Sequence, residues 1–378
     1  MTTTPTGHVL VACDKFKGSL TALQVIETLE AGLREGAPGV EVRSVIIADG
    51  GDGTLDAAEV AGFEPVPVTC AGPTGEPVST RYVRRGDQAV VEMADACGLM
   101  RLPGGERHAL EASSAGLGEV IVAALDAGVR DLVIGIGGSA STDGGAGMLT
   151  ALGARLLDGN GNDLAPGGGA LSDVASVDLS GLHPALRETD VTVACDVDNP
   201  LLGVQGAAAI FGPQKGASPE DVAHLDAGLA RLSSLVAEAT GRDVAGEPGA
   251  GAAGGVGWAA LAVLNATMRP GIEIVLDLND FDTMAAGARL VVTGEGSLDL
   301  QTLLGKAPAG VAKAARRAGV PIVAVCGRAL LNDDEAREAG FEKIYRLTDL
   351  EPDEQVCMRD AGPLLRRLAA DVARAELA

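Results

Sequence analysis

The stretch VLVACDKFKGSLTALQVIETLEAGLREGAPGVEVRSVIIADGGDGT, residues 9–54, decides the fold. Val9 to Cys13 is an apolar run that ends at Asp14. After a glycine-containing turn, Leu20, Leu23, Ile26, Leu29 and Leu33 recur at helical spacing. Ser19 stands where an N-cap would, with Ala22 leaving the capping box incomplete. A second apolar run, Val42 to Ala48, leads straight into Asp49-Gly50-Gly51. Strand, helix and strand in this order make a βαβ unit whose strand ends carry the unusual residues.

The pattern returns downstream. Asp131 to Ile136 reads as a strand that opens into a glycine-dense loop and then a helix through Leu157. Arg289 to Thr293 reads as another, followed by a glycine-rich loop, an alanine-rich helix from Ala307 to Ala318 and a strand from Pro321 to Cys326. Alternating strands and helices predict an α/β protein with parallel sheets covered on both faces. From about Glu64 to Ala286 the elements are less regular, with Gly/Pro clusters at Pro166–Gly169 and Gly246–Gly257. The expected organisation is one domain formed by 1–65 and 287–378, with a second α/β domain, 66–286, inserted into it. No repeat of fixed period occurs, which excludes a solenoid.

Composition agrees with this and narrows the function. A length of 378 residues suits about two domains. Aromatics are only 2% of the chain, so Ala, Val, Leu and Ile carry its 47% hydrophobic content, and 53 glycines imply many tight loops. A net charge of −23 repels polyanions, which argues against nucleic acid and against anionic membrane surfaces. Anionic substrates would need local cations. No apolar run approaches the roughly 20 residues that cross a bilayer, and Met1 to Gly7 has neither the charged nor the apolar segment of an export signal. Six cysteines (Cys13, Cys70, Cys97, Cys195, Cys326, Cys357) without CxxC spacing read as reduced, mostly buried thiols. A cytoplasmic protein is expected; self-association into a homo-oligomer is left open.

The local cations are lysines. Only six occur, and Lys15, Lys17, Lys215 and Lys306 lie in short motifs beside glycine: DKFKGS, QKG and GK. Glycine lets backbone N–H groups approach a phosphate, and the ammonium supplies a point charge. Asp49-Gly50-Gly51-Asp52-Gly53-Thr54 follows a strand directly, and its two carboxylates and hydroxyl are oxygen ligands of the kind Mg²⁺ takes. Gly135 to Gly145 is the densest site-like loop. Its G-x-G-x-x-A start, with Asp158 further on, matches a dinucleotide fingerprint, but the glycines continue past the point where the helix should begin. An anion-binding loop at Gly137, Gly138 and Ser139, with Asp143 beyond, fits better. Glu295, Ser297, Asp299 and Gln301 crowd the segment before Lys306, which is not a Walker A loop because Ala307 replaces Ser/Thr. Asp196 and Asn199 follow the apolar strand ending at Ala194. The four histidines lie outside these loops without ligand-like spacing, disfavouring zinc and a Ser-His-Asp triad.

Together, CDKFKGSL, ADGGDGTLDA, GIGGSASTDGGAGML, ACDVDNPLLG, GPQKGA, GAAGGVG and TGEGSLDLQTLLGKAPAGVA closely resemble the bacterial two-domain (type I) glycerate kinase family, in the family's order from residue 11 to 312. Lys15 departs from it, standing where many members carry serine. The resemblance implies a flavodoxin-like domain with a second α/β domain inserted, an active site in the cleft between them, dependence on ATP and Mg²⁺, and D-glycerate as substrate with 2-phosphoglycerate as product. The expected chemistry is direct, in-line phosphoryl transfer dominated by positioning and electrostatics. Lys17, Lys215 and Lys306 would neutralise phosphate or the glycerate carboxylate. Lys15 and Ser19 join the phosphate-binding candidates, Asp49 and Asp52 the metal-linked ones. Asp14 and Asp196 are alternatives for orienting or deprotonating the attacking hydroxyl. Two rival functions are a nicotinamide-dependent oxidoreductase acting on a small hydroxy acid, resting on the Gly135 match, and a non-catalytic nucleotide sensor.

Overall fold

The protein is described here by a computed structural model covering residues 7–48, 50–51, 53–299 and 307–377. It divides into two compact units, Met1–Asp49 with Ile272–Ala378, and Gly50–Gly271. From sequence the divisions were drawn at 65/66 and 286/287.

The first unit is built on the expected βαβ start. His8–Cys13 is a fully buried strand. Helix Ala22–Gly36 covers it by burying Val25, Ile26, Leu29 and Leu33; of the apolar positions read from sequence, Ile26, Leu29 and Leu33 lie on that face, whereas Leu23 is exposed and Leu20 precedes the helix. Its cap is Thr21 rather than Ser19. Thr21 Oγ1 accepts from Gln24 N (3.3 Å) and Gln24 Oε1 accepts from Thr21 N (3.0 Å), a complete capping box two residues on. Glu41–Ile46, Ala288–Leu298, Ile322–Ala329 and Lys343–Arg346 complete an all-parallel five-stranded sheet. Counted within this unit the strand order is 2-1-3-4-5, the flavodoxin-like arrangement. The order reverses between His8–Cys13 and Ala288–Leu298, so ligand-binding loops belong at the carboxyl ends of those two strands. One expectation is corrected here. Gly294 to Ser297 is strand, not loop, because Ala288–Leu298 continues in register with Ile322–Ala329 as far as Leu298.

The second unit holds a six-stranded mixed sheet. Gln88–Glu92, Asp131–Gly135, Asp190–Ala194 and Thr267–Arg269 run parallel, while Pro77–Arg85 and Glu64–Ala71 add an antiparallel edge. Helix Ala115–Asp126 buries Leu117, Val120, Ile121 and Leu125. The helix expected through Leu157 spans only Ala146–Ala151. Gly153, at φ +104°, turns the chain out of the helix, and Arg155–Leu157 becomes a short strand paired with Ser176–Asp178.

Candidate active site

In the first unit the site residues gather at the switch point. Asp14 N donates to Gly294 O (3.0 Å), tying the loop after the first strand to its neighbour. Asp14 Oδ1 accepts from Lys15 N (2.6 Å). Phe16, 2% exposed, anchors a tight turn: Phe16 N and Leu20 N each donate to the other's carbonyl (3.0 Å), and Ser19 Oγ donates to Phe16 O (3.0 Å). The anchor leaves Lys17 exposed at the tip and Lys15 half-buried. Gly296 lies against this turn; a Cβ there would sit 3.3 Å from Lys17 N. Glu295 and Ser297 on the neighbouring strand are therefore brought beside Asp14 to Lys17, and half-buried Asp299 follows. Arg328 joins them, its Nε donating to Ser297 Oγ (3.3 Å) and its Nη1 to Glu354 Oε2 (3.0 Å). Sequence reading missed this arginine because it ended the strand at Cys326, whereas the strand runs on through Arg328 to Ala329. Gln301 and Lys306 lie outside the described residues.

In the second unit the loops meet at the carboxyl ends of the parallel strands. Gly50 packs so closely that a Cβ would lie 2.6 Å from Ala194 Cβ and 2.9 Å from Gly271 Cα. A Cβ on Gly137 would lie 2.7 Å from Gly51 Cα. Gly271 N donates to Asp196 Oδ1 (3.0 Å), which fixes this exposed carboxylate at the same edge. Asn199 is tied into its own loop, Nδ2 donating to Gln205 O (2.9 Å). Asp49 and Asp52 lie outside the described residues. The glycines between and beside them are described, and so is Glu92, a residue missed from sequence. Glu92, 5% exposed, ends its strand beneath this loop and accepts from Gly53 N (3.3 Å) and Leu55 N (3.2 Å) at the start of helix Thr54–Val60. Its signal was an acid closing the apolar run Ala89–Val91. Thr54, whose hydroxyl was counted with the Mg²⁺ ligands, is buried and donates to Gly51 O (2.7 Å), so it shapes the loop. Among the described residues no group of three or more His, Cys, Asp or Glu side chains is placed to hold a metal.

The glycine-dense loop is stiffened from below. Leu99 N donates to Gly138 O (2.9 Å), and Gly138 is exposed at the tip. Asp143, expected to meet an anion, is fully buried. Its Oδ2 accepts from Ser114 N (2.8 Å), Ser114 Oγ (2.8 Å) and Gly147 N (3.1 Å), its Oδ1 from Gly145 N (3.1 Å). Lys215 is 1% exposed and lies beneath the loop, Nζ donating to Ser139 Oγ (2.7 Å) and Ser141 O (2.5 Å). Desolvation pulls its pKa down to about 7, outweighing the upward pull of the Asp143 and Cys97 charges. The dinucleotide reading fails on geometry: the following helix begins only at Ala146, so no helix N-terminus reaches Gly135–Ser139. Asp158 closes its own turn, Oδ1 accepting from Asn160 N (2.8 Å) and Asn162 N (2.9 Å).

Residues 9–376 match the Glycerate kinase family. The chain belongs to that family. It is 43% identical over 368 residues to the glycerate kinase of Bacillus subtilis (strain 168), covering 97% of this chain and 96% of that one. To the glycerate 2-kinase of Escherichia coli (strain K12) it is 44% identical over 343 residues, 89% of each chain. A crystal structure assigned as a glycerate kinase 2 of Salmonella typhimurium LT2 superposes with a TM-score of 0.85 at 43% identity, covering 98% of both chains. Family members of this kind are kinases, and neither rival function read from the sequence is supported.

Proposed function

We propose that the protein transfers the γ-phosphoryl group of ATP to D-glycerate, with 2-phosphoglycerate as product. The observation that carries the reading is the switch point of the first unit, where Asp14, Lys15 and Lys17 meet Glu295 and Ser297 at the carboxyl ends of adjacent parallel strands. Anionic phosphates need fixed cations in a chain of net charge −23. Lys17, held out on an anchored turn, and Lys306 supply them. Phosphoryl transfer asks little covalent chemistry of a protein, so catalysis rests on positioning and charge stabilisation. The Gly137–Ser139 loop holds a substrate anion with its backbone amides. Either Asp14 or Asp196 is the carboxylate that orients or deprotonates the attacking hydroxyl.

Mg²⁺ fits the donor set. Asp49 and Asp52 flank Gly50-Gly51 on a loop that offers only oxygen ligands, the donors a hard cation takes while keeping several waters. Bound there with ATP, the ion would neutralise phosphate charge. Glu92 holds the start of the following helix, and Thr54 the Gly51 carbonyl, so the protein's own part is to fix the loop. We place the enzyme in the cytosol, in keeping with cysteines that are all unpaired.

The test is ADP release from ATP on adding D-glycerate and Mg²⁺, with nicotinamide absorbance recorded alongside. Glycerate-dependent ADP with no absorbance change supports the reading. NADH turnover with a hydroxy acid and no ADP would overturn it.

A further inference from the structure

The sequence suggested that Lys215 meets an anion directly, yet its ammonium is buried under the Gly137–Ser139 loop. Its two hydrogen bonds run to Ser139 Oγ and Ser141 O. A serine hydroxyl has one proton and two lone pairs. Because Ser139 accepts from Lys215, its own proton is left to be given elsewhere. Ser139 is 6% exposed, next to exposed Gly138, so a small part of it reaches the loop surface. A positive charge directly behind a hydroxyl strengthens it as a donor, since hydrogen bonds in a chain polarise one another, by roughly 10–30% per bond.

We propose that Lys215 is a positioning residue whose ammonium aims the Ser139 hydroxyl outward as a charge-backed donor, making the Gly137–Ser139 loop a site for a carboxylate or phosphate oxygen of a substrate. The inference rests on the glycerate kinase reading, in which this loop holds a substrate anion. The alternative is a buried ammonium that only braces the loop.

Titration separates the two. The ionisable groups beside Lys215 are Asp143 and Cys97, which favour its charge when they are themselves ionised, against burial, which does not; the balance puts its pKa at about 7. Cys97, buried and pushed up to about 12, stays neutral through this range. A neutral amine keeps two N–H groups, enough for both hydrogen bonds, so raising the pH removes the charge and leaves the brace.

The experiment measures kcat/KM of the full-length enzyme from pH 6 to 9, for D-glycerate at saturating MgATP and for MgATP at saturating D-glycerate. Wild type is divided by Lys215→Met at each pH, so that ionisation of the substrates cancels. In one of the two profiles the ratio should be about 10- to 100-fold at pH 6 and fall as pH rises through about 7. A fall in the glycerate profile identifies a carboxylate at the loop, one in the MgATP profile a phosphate. Ser139→Ala should lose nearly as much at pH 6, with little further loss on adding Lys215→Met. If Lys215→Met does not fold, Ser139→Ala replaces it as the divisor and the same fall is expected. A ratio that is flat in both profiles, or within threefold of one at pH 6, overturns the proposal while leaving the glycerate kinase reading intact. A wild type with no glycerate-dependent ADP release at any pH refutes that reading and the proposal with it.

Discussion

Asp143→Ala strips the acceptor from four donors at once: the buried amides of Ser114 and Gly145, the buried hydroxyl of Ser114 and the half-buried amide of Gly147. Each buried donor left unsatisfied costs about 1–3 kcal/mol. The full sum is not reached, because the Ser114 hydroxyl can rotate and water can enter the space vacated. We expect a loss of about 3–5 kcal/mol, a large share of the roughly 5–15 kcal/mol that holds a domain folded. Asp143→Asn should cost less. Its one acceptor oxygen can take the Oδ2 position, where three of the four donors converge, turning the amide NH₂ toward Gly145 N; one bond lost means about 1–3 kcal/mol. The same exchange removes a charge that supports the Lys215 ammonium, so the Lys215 pKa should fall further. The assay is urea unfolding followed by fluorescence of Trp258, the one tryptophan in the chain, which is 1% exposed and lies in the same unit as Asp143. The midpoint should shift in the order Ala beyond Asn, with the slope unchanged. A loss below about 1 kcal/mol for Asp143→Ala would show that those four bonds do not anchor the loop.

Lys17→Ala should lower kcat by about 10²–10³, the effect of losing one preorganised charge donor, with the melting temperature unchanged because Lys17 is exposed; near-normal turnover would make it an ordinary surface residue. Glu92→Ala should destabilise the second unit by about 1–3 kcal/mol by orphaning Gly53 N and Leu55 N, and it should raise KM for MgATP more than KM for glycerate if the loop it braces serves Mg²⁺. The Lys215 contribution to stability should climb as pH rises from about 7. Lys215 is charged only below about 7 in the fold but up to about 10.5 when unfolded. Between these values the unfolded state therefore binds the extra proton. That contribution grows by about 2–3 kcal/mol from pH 7 to 9, read in the same urea assay as the difference between wild type and Lys215→Met, so that the opposing loss from thiols whose pKa burial raises cancels.

The residues that dictate regular structure were legible. Apolar spacing in 9–54 fixed the first βαβ unit, and helix Ala307–Ala318 was read to its ends. What escaped depends on partners distant in sequence. Gly294–Ser297 looks like a loop by composition and is strand because Ile322–Ala329 pairs with it. The helix after Gly145 was read too long because leucines at 149, 152, 156 and 157 keep an apolar pattern through Gly153. At the candidate site, glycine–lysine motifs drew attention to particular loops, but a motif does not reveal depth. Lys215 and Asp143 look like surface ligands in sequence and are buried supports. Glu92 and Arg328 carry no motif and are found only through the groups they touch.

The most direct test of the central claim supplies the enzyme with D-glycerate, ATP and Mg²⁺ and passes the product to enolase and pyruvate kinase with phosphoglycerate mutase left out. The account predicts immediate, glycerate-dependent pyruvate formation, the mark of 2-phosphoglycerate. Pyruvate that forms only after the mutase is added would place the phosphoryl group on carbon 3 and contradict the proposed product. No glycerate-dependent pyruvate with or without the mutase, and no ADP, would contradict the account as a whole.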